Sequence, residues 1–321
     1  MLWEEKSLIP KIIVPQSADE YSDHYLAKRG YNIVNVDSAT EKKILEVAPD
    51  ASAVMMFTAK FPNSLYKKMP NLKIIAEHGV GYDNIDVDFA AKQGVWVTNT
   101  PGTNARSVAE STVLDILMTA KHSYQISNLM RDNQIKSAKR LMGNELFNST
   151  VGIVGFGNIG QAVAKLLSGF GVKVLIYNRT LKETPYGSFV DWETLFEQSD
   201  YITVHLAATP ATRHLIGKKE FDLMKSSASL INLARGSILD QEALIQALRT
   251  NQIAGAALDV FQEEPLPQDS QLFDFDNVFL TPHTGANTVE AFKRMSIGAS
   301  KMIDSVLSGK NPDWAVNNPI I

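Results

Sequence analysis

Three short segments hold residues able to bind an anion and move a proton: INLARG at 231–236, LDVFQEEP at 258–265 and TPHTG at 281–285. Each follows an apolar run that reads as a strand, so Arg235, Asp259, Glu264 and His283 all stand just past strand ends. Ligands of open α/β sheets sit outside the carboxyl ends of the strands, which lets these four side chains converge on one crevice. The planar arginine fork grips a carboxylate with two hydrogen bonds. Histidine titrates near neutral pH, and a carboxylate beside it raises its pKa and orients its ring. Such a set suits a substrate that carries a carboxylate and gains or loses a proton.

The same part of the chain opens with VGIVGFGNIGQAVAKLLSGFGVKVLIYNRT at 151–180. An apolar strand turns on Gly155, Gly157 and Gly160, runs into a helix pattern and closes with a second apolar strand. That is the G-x-G-x-x-G dinucleotide fingerprint in the context it requires. The turn offers backbone N–H groups and a helix N-terminus to a pyrophosphate. An acid that bonds the ribose 2′-OH is expected about 20 residues on. Asn178 stands there instead, followed by Arg179 and Thr180. Removing the acid removes its repulsion of a 2′-phosphate, which Arg179 can pair and Thr180 can hydrogen-bond. NADP is the favoured cofactor, with NAD the alternative if Arg179 only stacks on adenine. Cationic group, proton donor and dinucleotide together describe hydride exchange with a 2-keto acid.

Other apolar runs place strands at 11–15, 33–36, 53–58, 72–76 and 95–99, with helices at 39–47 and 63–69. Residues 104–122 read as a long helix with Val108, Val113, Leu114, Leu117 and Met118 at helical spacing. Strands at 151–154, 172–177, 201–205, 229–232, 255–258 and 278–280 alternate with helices at 159–168, 192–198, 218–223 and 241–250. Alternation of this kind means parallel βαβ units. A last helix at 289–307 is expected to return to the first half. The expected fold is α/β, with two Rossmann-like or flavodoxin-like parallel-sheet domains and a cleft between them.

The 321 residues suffice for two domains, and 45% hydrophobic with 21% charged residues is an ordinary globular composition. A net charge of −4 leaves no electrostatic footprint for nucleic acid. The absence of cysteine excludes disulfides and thiol chemistry. The first residues carry Glu4, Glu5 and Lys6 and do not read as a signal peptide. No run reaches the length of a membrane span. The cytoplasm is the expected location, and neither a metal nor a membrane partner is expected.

The ordered motifs resemble the D-isomer-specific 2-hydroxyacid dehydrogenase family. Besides the fingerprint they include HGVGYDNID at 78–86, NTPG at 99–102, SVAE at 107–110, HLAATPATRHL at 205–215 and the three segments named first. The resemblance covers nearly the whole chain. It implies a substrate-binding domain at 1–100 plus 286–321 and a dinucleotide-binding Rossmann domain at 101–285. It also implies that Arg235 binds the substrate carboxylate and polarises the carbonyl, that His283 protonates the carbonyl oxygen, and that Glu264, rather than Glu263, pairs with His283. Val80 and Gly81 would offer N–H groups to the carboxylate. Asn158 and Ile159 would lie under the pyrophosphate, Asp259 would face the nicotinamide carboxamide, and Leu206, Thr212, Leu233, Ala234 and Gly285 would line the cofactor. Met56 and Phe57, ending a strand of the first domain, are candidate substrate contacts. His78, His122, His205 and His214 read as structural, with His205 a lesser candidate for the cofactor pocket. A homodimer is expected from the resemblance alone.

The expected substrate is a small unphosphorylated 2-keto acid such as glyoxylate or hydroxypyruvate. Phosphoglycerate dehydrogenases commonly carry an arginine for the phosphate where Met56 stands, and the chain ends at Ile321 without an added regulatory domain. Phosphoglycerate oxidation is the alternative within the family. Formate oxidation fits less well, because there the histidine's partner is a glutamine. A dinucleotide-sensing corepressor that binds protein partners is the alternative of another class.

Overall fold

The computed structural model describes residues 9–320 of the chain. The expectation about a signal peptide falls on residues 1–8, outside the described residues. Two compact units emerge: residues up to 104 together with those from 288 onward, and residues 105–287.

The first unit is built on a five-stranded parallel sheet, β1 (Lys11–Pro15), β2 (Asn32–Val36), β3 (Ala53–Met56), β4 (Ile74–Glu77) and β5 (Trp96–Thr98), in the order β2-β1-β3-β4-β5. This 2-1-3-4-5 order is that of the flavodoxin-like folds. Its helices are α1 (Asp19–Ala27), α2 (Glu41–Val47) and α3 (Val87–Lys92). Thr40 caps α2 by accepting from Lys43 N, and Asp86 caps α3 by accepting from Phe89 N. Successive strand residues feed opposite faces: Ile13 joins one core with Val54 and Ile75, while Ile12 and Val14 join another with Met55 and Ile74. Each of these fully buried aliphatic side chains contributes about 1.5–3 kcal/mol relative to exposure. Residues 63–68, expected as a helix, form a 3-10 turn instead.

The second unit carries a seven-stranded parallel sheet. Its strands are β6 (Thr150–Val154), β7 (Lys173–Tyr177), β8 (Ser188–Phe189), β9 (Tyr201–Val204), β10 (Ser229–Asn232), β11 (Gly255–Leu258) and β12 (Val278–Leu280). The order β12-β11-β10-β9-β6-β7-β8 reverses direction between β6 and β9, the place where a doubly wound sheet opens its ligand crevice. The helices are α4 (Ala105–Ala120), α5 (Ser123–Arg131), α6 (Ile135–Ala138), α7 (Asn158–Leu167), α8 (Trp192–Gln198), α9 (Lys218–Leu223) and α10 (Gln241–Arg249). Asp191 and Asp240 cap α8 and α10 by accepting from Thr194 N and Ala243 N. The sheet is buried on both faces, by the cluster around Phe196, Phe221 and Leu244 and by the one around Val108, Ile116 and Val163. That double cover is why its strands read as continuous apolar runs. The helix α11 (Val289–Leu307), capped by Thr288, packs on α1 and β4 of the first unit. Among the described residues no helix is long and apolar enough to cross a membrane.

Candidate active site

The turn after β6 needs each of its glycines for a different reason. Gly155 has φ +97°, and a Cβ there would stand 2.6 Å from the His205 carbonyl oxygen. A Cβ on Gly160 would overlap the Gly155 carbonyl oxygen, so this glycine lets α7 press onto the strand. Gly157 has extended backbone and nothing within 4 Å of its Cβ position, so its missing side chain keeps space open. As the N-cap of α7 it leaves the first N–H groups, those of Asn158, Ile159 and Gly160, without a side-chain acceptor. Donors at the positive end of a helix, facing a cleared space, fit a pyrophosphate. Gly157→Ala is therefore expected to leave the thermal midpoint of the ligand-free protein nearly unchanged. It should weaken dinucleotide binding at least about tenfold, roughly 1.4 kcal/mol, in a fluorescence titration. Unchanged affinity would remove Gly157 from the cradle.

Asn178 ends β7 and folds back onto this turn. Its Oδ1 accepts from Phe156 N at 3.0 Å and its Nδ2 donates to the Thr180 carbonyl at 2.6 Å. The second bond needs a donor, which an ionised aspartate lacks. Arg179 and Thr180 are exposed beside it. Lys182, which no pattern in the sequence singled out, donates from Nζ to the Phe156 carbonyl at 3.1 Å. A lysine ammonium thus stands at the glycine turn, three residues along the chain from Arg179. A contact across 26 residues through an irregular loop leaves no periodic signal.

Beyond β11, Asp259 is only 2% exposed, and loop donors meet both its oxygens. Oδ1 accepts from Thr281 Oγ1 at 2.6 Å and from Thr284 N at 2.7 Å, and Oδ2 accepts from Gly285 N at 2.8 Å. Asp259 is thus the anchor of the segment that carries His283. The His283 N–H bonds the Asp259 carbonyl at 2.8 Å and the Thr281 carbonyl at 3.1 Å, which holds the residue left-handed at φ +55°. Its Nδ1 lies 2.6 Å from Glu264 Oε2, and Glu264 Oε1 accepts from Phe261 N at 3.1 Å. Burial pushes the Glu264 carboxyl up. The hydrogen bond and charge of His283 and the Phe261 N–H outweigh that, and the group is held below its ordinary value. Glu264 therefore stays ionised at neutral pH and fixes Nδ1, leaving Nε2 as the nitrogen that can exchange a proton with a ligand.

These features match known proteins. Residues 113–285 match the family described as D-isomer specific 2-hydroxyacid dehydrogenase, NAD binding domain. A glyoxylate reductase of Thermococcus litoralis is 41% identical over 289 residues, 87% of each chain.

The chain belongs to the D-isomer specific 2-hydroxyacid dehydrogenase family.

A D-3-phosphoglycerate dehydrogenase of Synechocystis is 36% identical over 317 residues, 96% of this chain and 56% of that protein. Among solved structures, the NADPH-dependent glyoxylate/hydroxypyruvate reductase of Sinorhizobium meliloti, in complex with NADP and malonate, superposes with a TM-score of 0.85. It shares 29% sequence identity, and the match covers 98% of each chain.

In this 2-hydroxyacid dehydrogenase the remaining expected residues divide by unit. In the second, Asn232, fully buried, shapes the Arg235 loop: its Nδ2 donates to the Arg235 carbonyl at 3.0 Å and its Oδ1 accepts from Ala234 N at 3.0 Å. An asparagine that bonds its own following backbone is a turn former, and INLARG at 231–236 carries that signal in the sequence. The Leu206 side chain lies against the Gly155 turn and that of Leu233 against Gly285. Thr212 closes the loop after β9, its Oγ1 donating to the Ala207 carbonyl at 2.7 Å. His205 is partly buried, its Nε2 3.0 Å from Thr203 Oγ1, and burial pushes its pKa down to about 3.

In the first unit, the loop at 78–85 is tied by its carbonyls. Gly79 O accepts from Thr100 N at 2.8 Å and Val80 O from Asn99 Nδ2 at 2.7 Å. The N–H groups of Val80 and Gly81 make no hydrogen bond among the described residues, so they remain available to an anion. The His78 ring stacks on Phe57 at 4.2 Å, and its Nε2 lies 2.8 Å from Ser296 Oγ. Burial lowers its pKa to about 4, which keeps it neutral.

Met56 is a correction. Its side chain has 0% exposure and sits in the core with Ile13, Phe61 and Ile75. The strand ends at Met56 rather than at residue 58, so Met56 still obeys strand alternation and points into the covered face. With no exposed surface, the Met56 side chain offers nothing to a ligand in this conformation and gives no ground against a phosphorylated substrate. Phe57, one residue past the strand, is only partly buried and keeps its candidacy.

Proposed function

We propose that this chain is an NAD(P)-dependent oxidoreductase that reduces a small 2-keto acid, such as glyoxylate or hydroxypyruvate, to its D-2-hydroxy acid. The Glu264–His283 pair carries the reading: it stands at strand ends of the same sheet whose glycine turn fits a pyrophosphate. When bound, the nicotinamide exchanges a hydride with the substrate's carbonyl carbon. His283 hands a proton to the carbonyl oxygen from Nε2, while Glu264 holds the ring and balances its charge. Arg235 grips the carboxylate and draws electron density from the carbonyl. Val80 and Gly81 N–H groups are assigned an anionic oxygen of the substrate. Reduction consumes the protonated histidine and fades as pH rises; oxidation needs the neutral ring and fades as pH falls.

The experiment is oxidation of NADPH and NADH by the whole chain with a panel of 2-keto acids that includes 3-phosphohydroxypyruvate. Preference for glyoxylate or hydroxypyruvate supports the reading. A marked preference for the phosphorylated acid replaces it with the phosphoglycerate reaction, which the Synechocystis relative keeps in view. Tight dinucleotide binding without turnover on any member replaces it with a sensor.

NADP is the cofactor assigned, because the end of β7 carries Asn178 in place of an acid and Arg179 and Lys182 supply two cations there. A charge-assisted bond to a phosphate contributes about 1.5–3 kcal/mol. Arg179→Ala and Lys182→Ala are each expected to raise KM for NADPH by about tenfold or more and to change KM for NADH little. Equal changes for both dinucleotides in both variants would defeat the assignment. We also assign a homodimer. The amphipathic α5 has no buried residue, and Met130, Ile135 and Met142 are exposed on and around α5 and α6. A monomeric mass in sedimentation equilibrium would reject it.

A further inference from the structure

The helix α4 packs against β10, β11 and β12, and a polar stripe runs along it toward the loop that carries His283. Ser111 donates from Oγ to the Gly285 carbonyl at 2.9 Å. Asp115 follows four residues later, one turn along the same face. It is 3% exposed, and its Oδ2 has no hydrogen-bond partner among the described residues. The helix buries Val108, Ala109, Val113 and Ile116 beside it, with the hydroxyl residues Ser107 and Thr112, so Asp115 is the one buried carboxyl on this helix. Asp259 is the group that acts on it electrostatically, and that carboxylate holds Thr281, Thr284 and Gly285.

Two buried carboxylates that feel each other do not both ionise readily. The hydroxyls of Thr281 and Thr284 and the N–H groups of Thr284 and Gly285 donate to Asp259, whereas Oδ2 of Asp115 has no hydrogen-bond partner among the described residues. Burial and the Asp259 charge therefore both favour the protonated form of Asp115. We propose that Asp115 is a positioning residue for His283: its protonated carboxyl group lets Asp259 keep its charge and its loop donors, and its ionisation repels Asp259 and loosens residues 281–285. Burial first, and then the Asp259 charge, raise the Asp115 pKa to about 7. Among the other charged or titratable groups on elements packed against α4, Lys165 of α7 and Arg131 of α5 are exposed. Tyr124 of α5 lies in ring contact with Phe279 of β12, and the strands β10, β11 and β12 themselves carry no ionisable side chain. His283 follows β12 with its Nδ1 engaged by Glu264.

The sign follows from the direction of the shift. An ordinary aspartate ionises near about pH 4, so the unfolded chain releases this proton first. The contribution of the protonated form is full below that value and is lost as pH rises through about 7. Asp115→Asn keeps the size and stays neutral at every pH. Asp115→Leu is a second neutral variant, should the amide fold poorly.

The test is hydrogen exchange of the Thr284 and Gly285 amides in the ligand-free full chain, from about pH 5.5 to about pH 8.5, corrected for intrinsic rates. In the parent protein, protection at these two amides should fall by about tenfold or more across the range, while in a neutral variant it stays flat. Parallel curves in parent and variants overturn the proposal. The readout involves neither cofactor nor substrate, so it stands or fails independently of the reaction assigned above. In turnover, the alkaline fall of kcat/KM for reduction should be less steep in Asp115→Asn, and an unchanged slope also counts against it.

Discussion

Replacing His283 with asparagine lowers kcat for keto-acid reduction by about two to four orders of magnitude, the range spanned by a positioned acid–base group. Asparagine is the informative choice because the residue sits at φ +55°. Asparagine tolerates that region better than alanine, so the loop's backbone bonds to Asp259 and Thr281 survive. What is lost is the ring nitrogen that faces away from Glu264. KM for the dinucleotide should stay within about twofold, because the glycine turn and the end of β7 are untouched. The folded fraction and thermal midpoint are the controls. An unchanged kcat in a folded His283→Asn protein would falsify the proton-transfer role. A kcat loss matched by an equal loss of dinucleotide affinity would recast His283 as a part of the cofactor site.

Gly236→Ala is the substitution expected to damage the protein most. A Cβ at this position would run into the backbone carbonyl and carbon of Phe261 and crowd the Gln262 nitrogen. These are main-chain atoms, which cannot swing away as a flexible side chain can. Phe261 also presents its N–H to Glu264, and Gly236 follows Arg235 directly, so the displacement reaches both ends of the chemistry. Overpacking of this kind costs about 1–3 kcal/mol, and more where backbone must shift. At the upper end of that range, a unit of this size loses about 6–12 °C from its thermal midpoint. Circular dichroism and steady-state kinetics check the two halves: kcat/KM should fall at least about a hundredfold in whatever folds. A variant of parental stability and activity would show that the two loops are free to separate. Gly157→Ala is the natural comparison, since its Cβ enters open space.

Particular elements show what can be read locally. The last helix lies at Val289–Leu307, where its spacing placed it, because Thr288 caps its start and apolar residues recur at helical intervals. The strands Ser229–Asn232, Gly255–Leu258 and Val278–Leu280 also lie where their apolar runs placed them. Elements that are very short or bury little were not read. Ser188–Phe189 is a two-residue edge strand, and α5 and α6 bury almost nothing to mark a face. The long helix stops at Ala120 instead of residue 122 because His122 turns left-handed at φ 50°.

For the site, the sequence by itself determined the glycine turn and the placing of Arg235, Glu264 and His283 just past parallel strands. Those features depend on local conformation: a positive φ, a cleared helix N-terminus, a strand that ends. The tertiary structure decided the rest. It turned Met56 into the core, made Asp259 the anchor of the His283 loop, brought Lys182 to the Phe156 carbonyl and buried Asp115 among the core residues of its helix. The physical reason is the same in each case. Whether a side chain is buried, charged or free to meet a ligand depends on partners distant in the chain, and no local pattern of residue types specifies them.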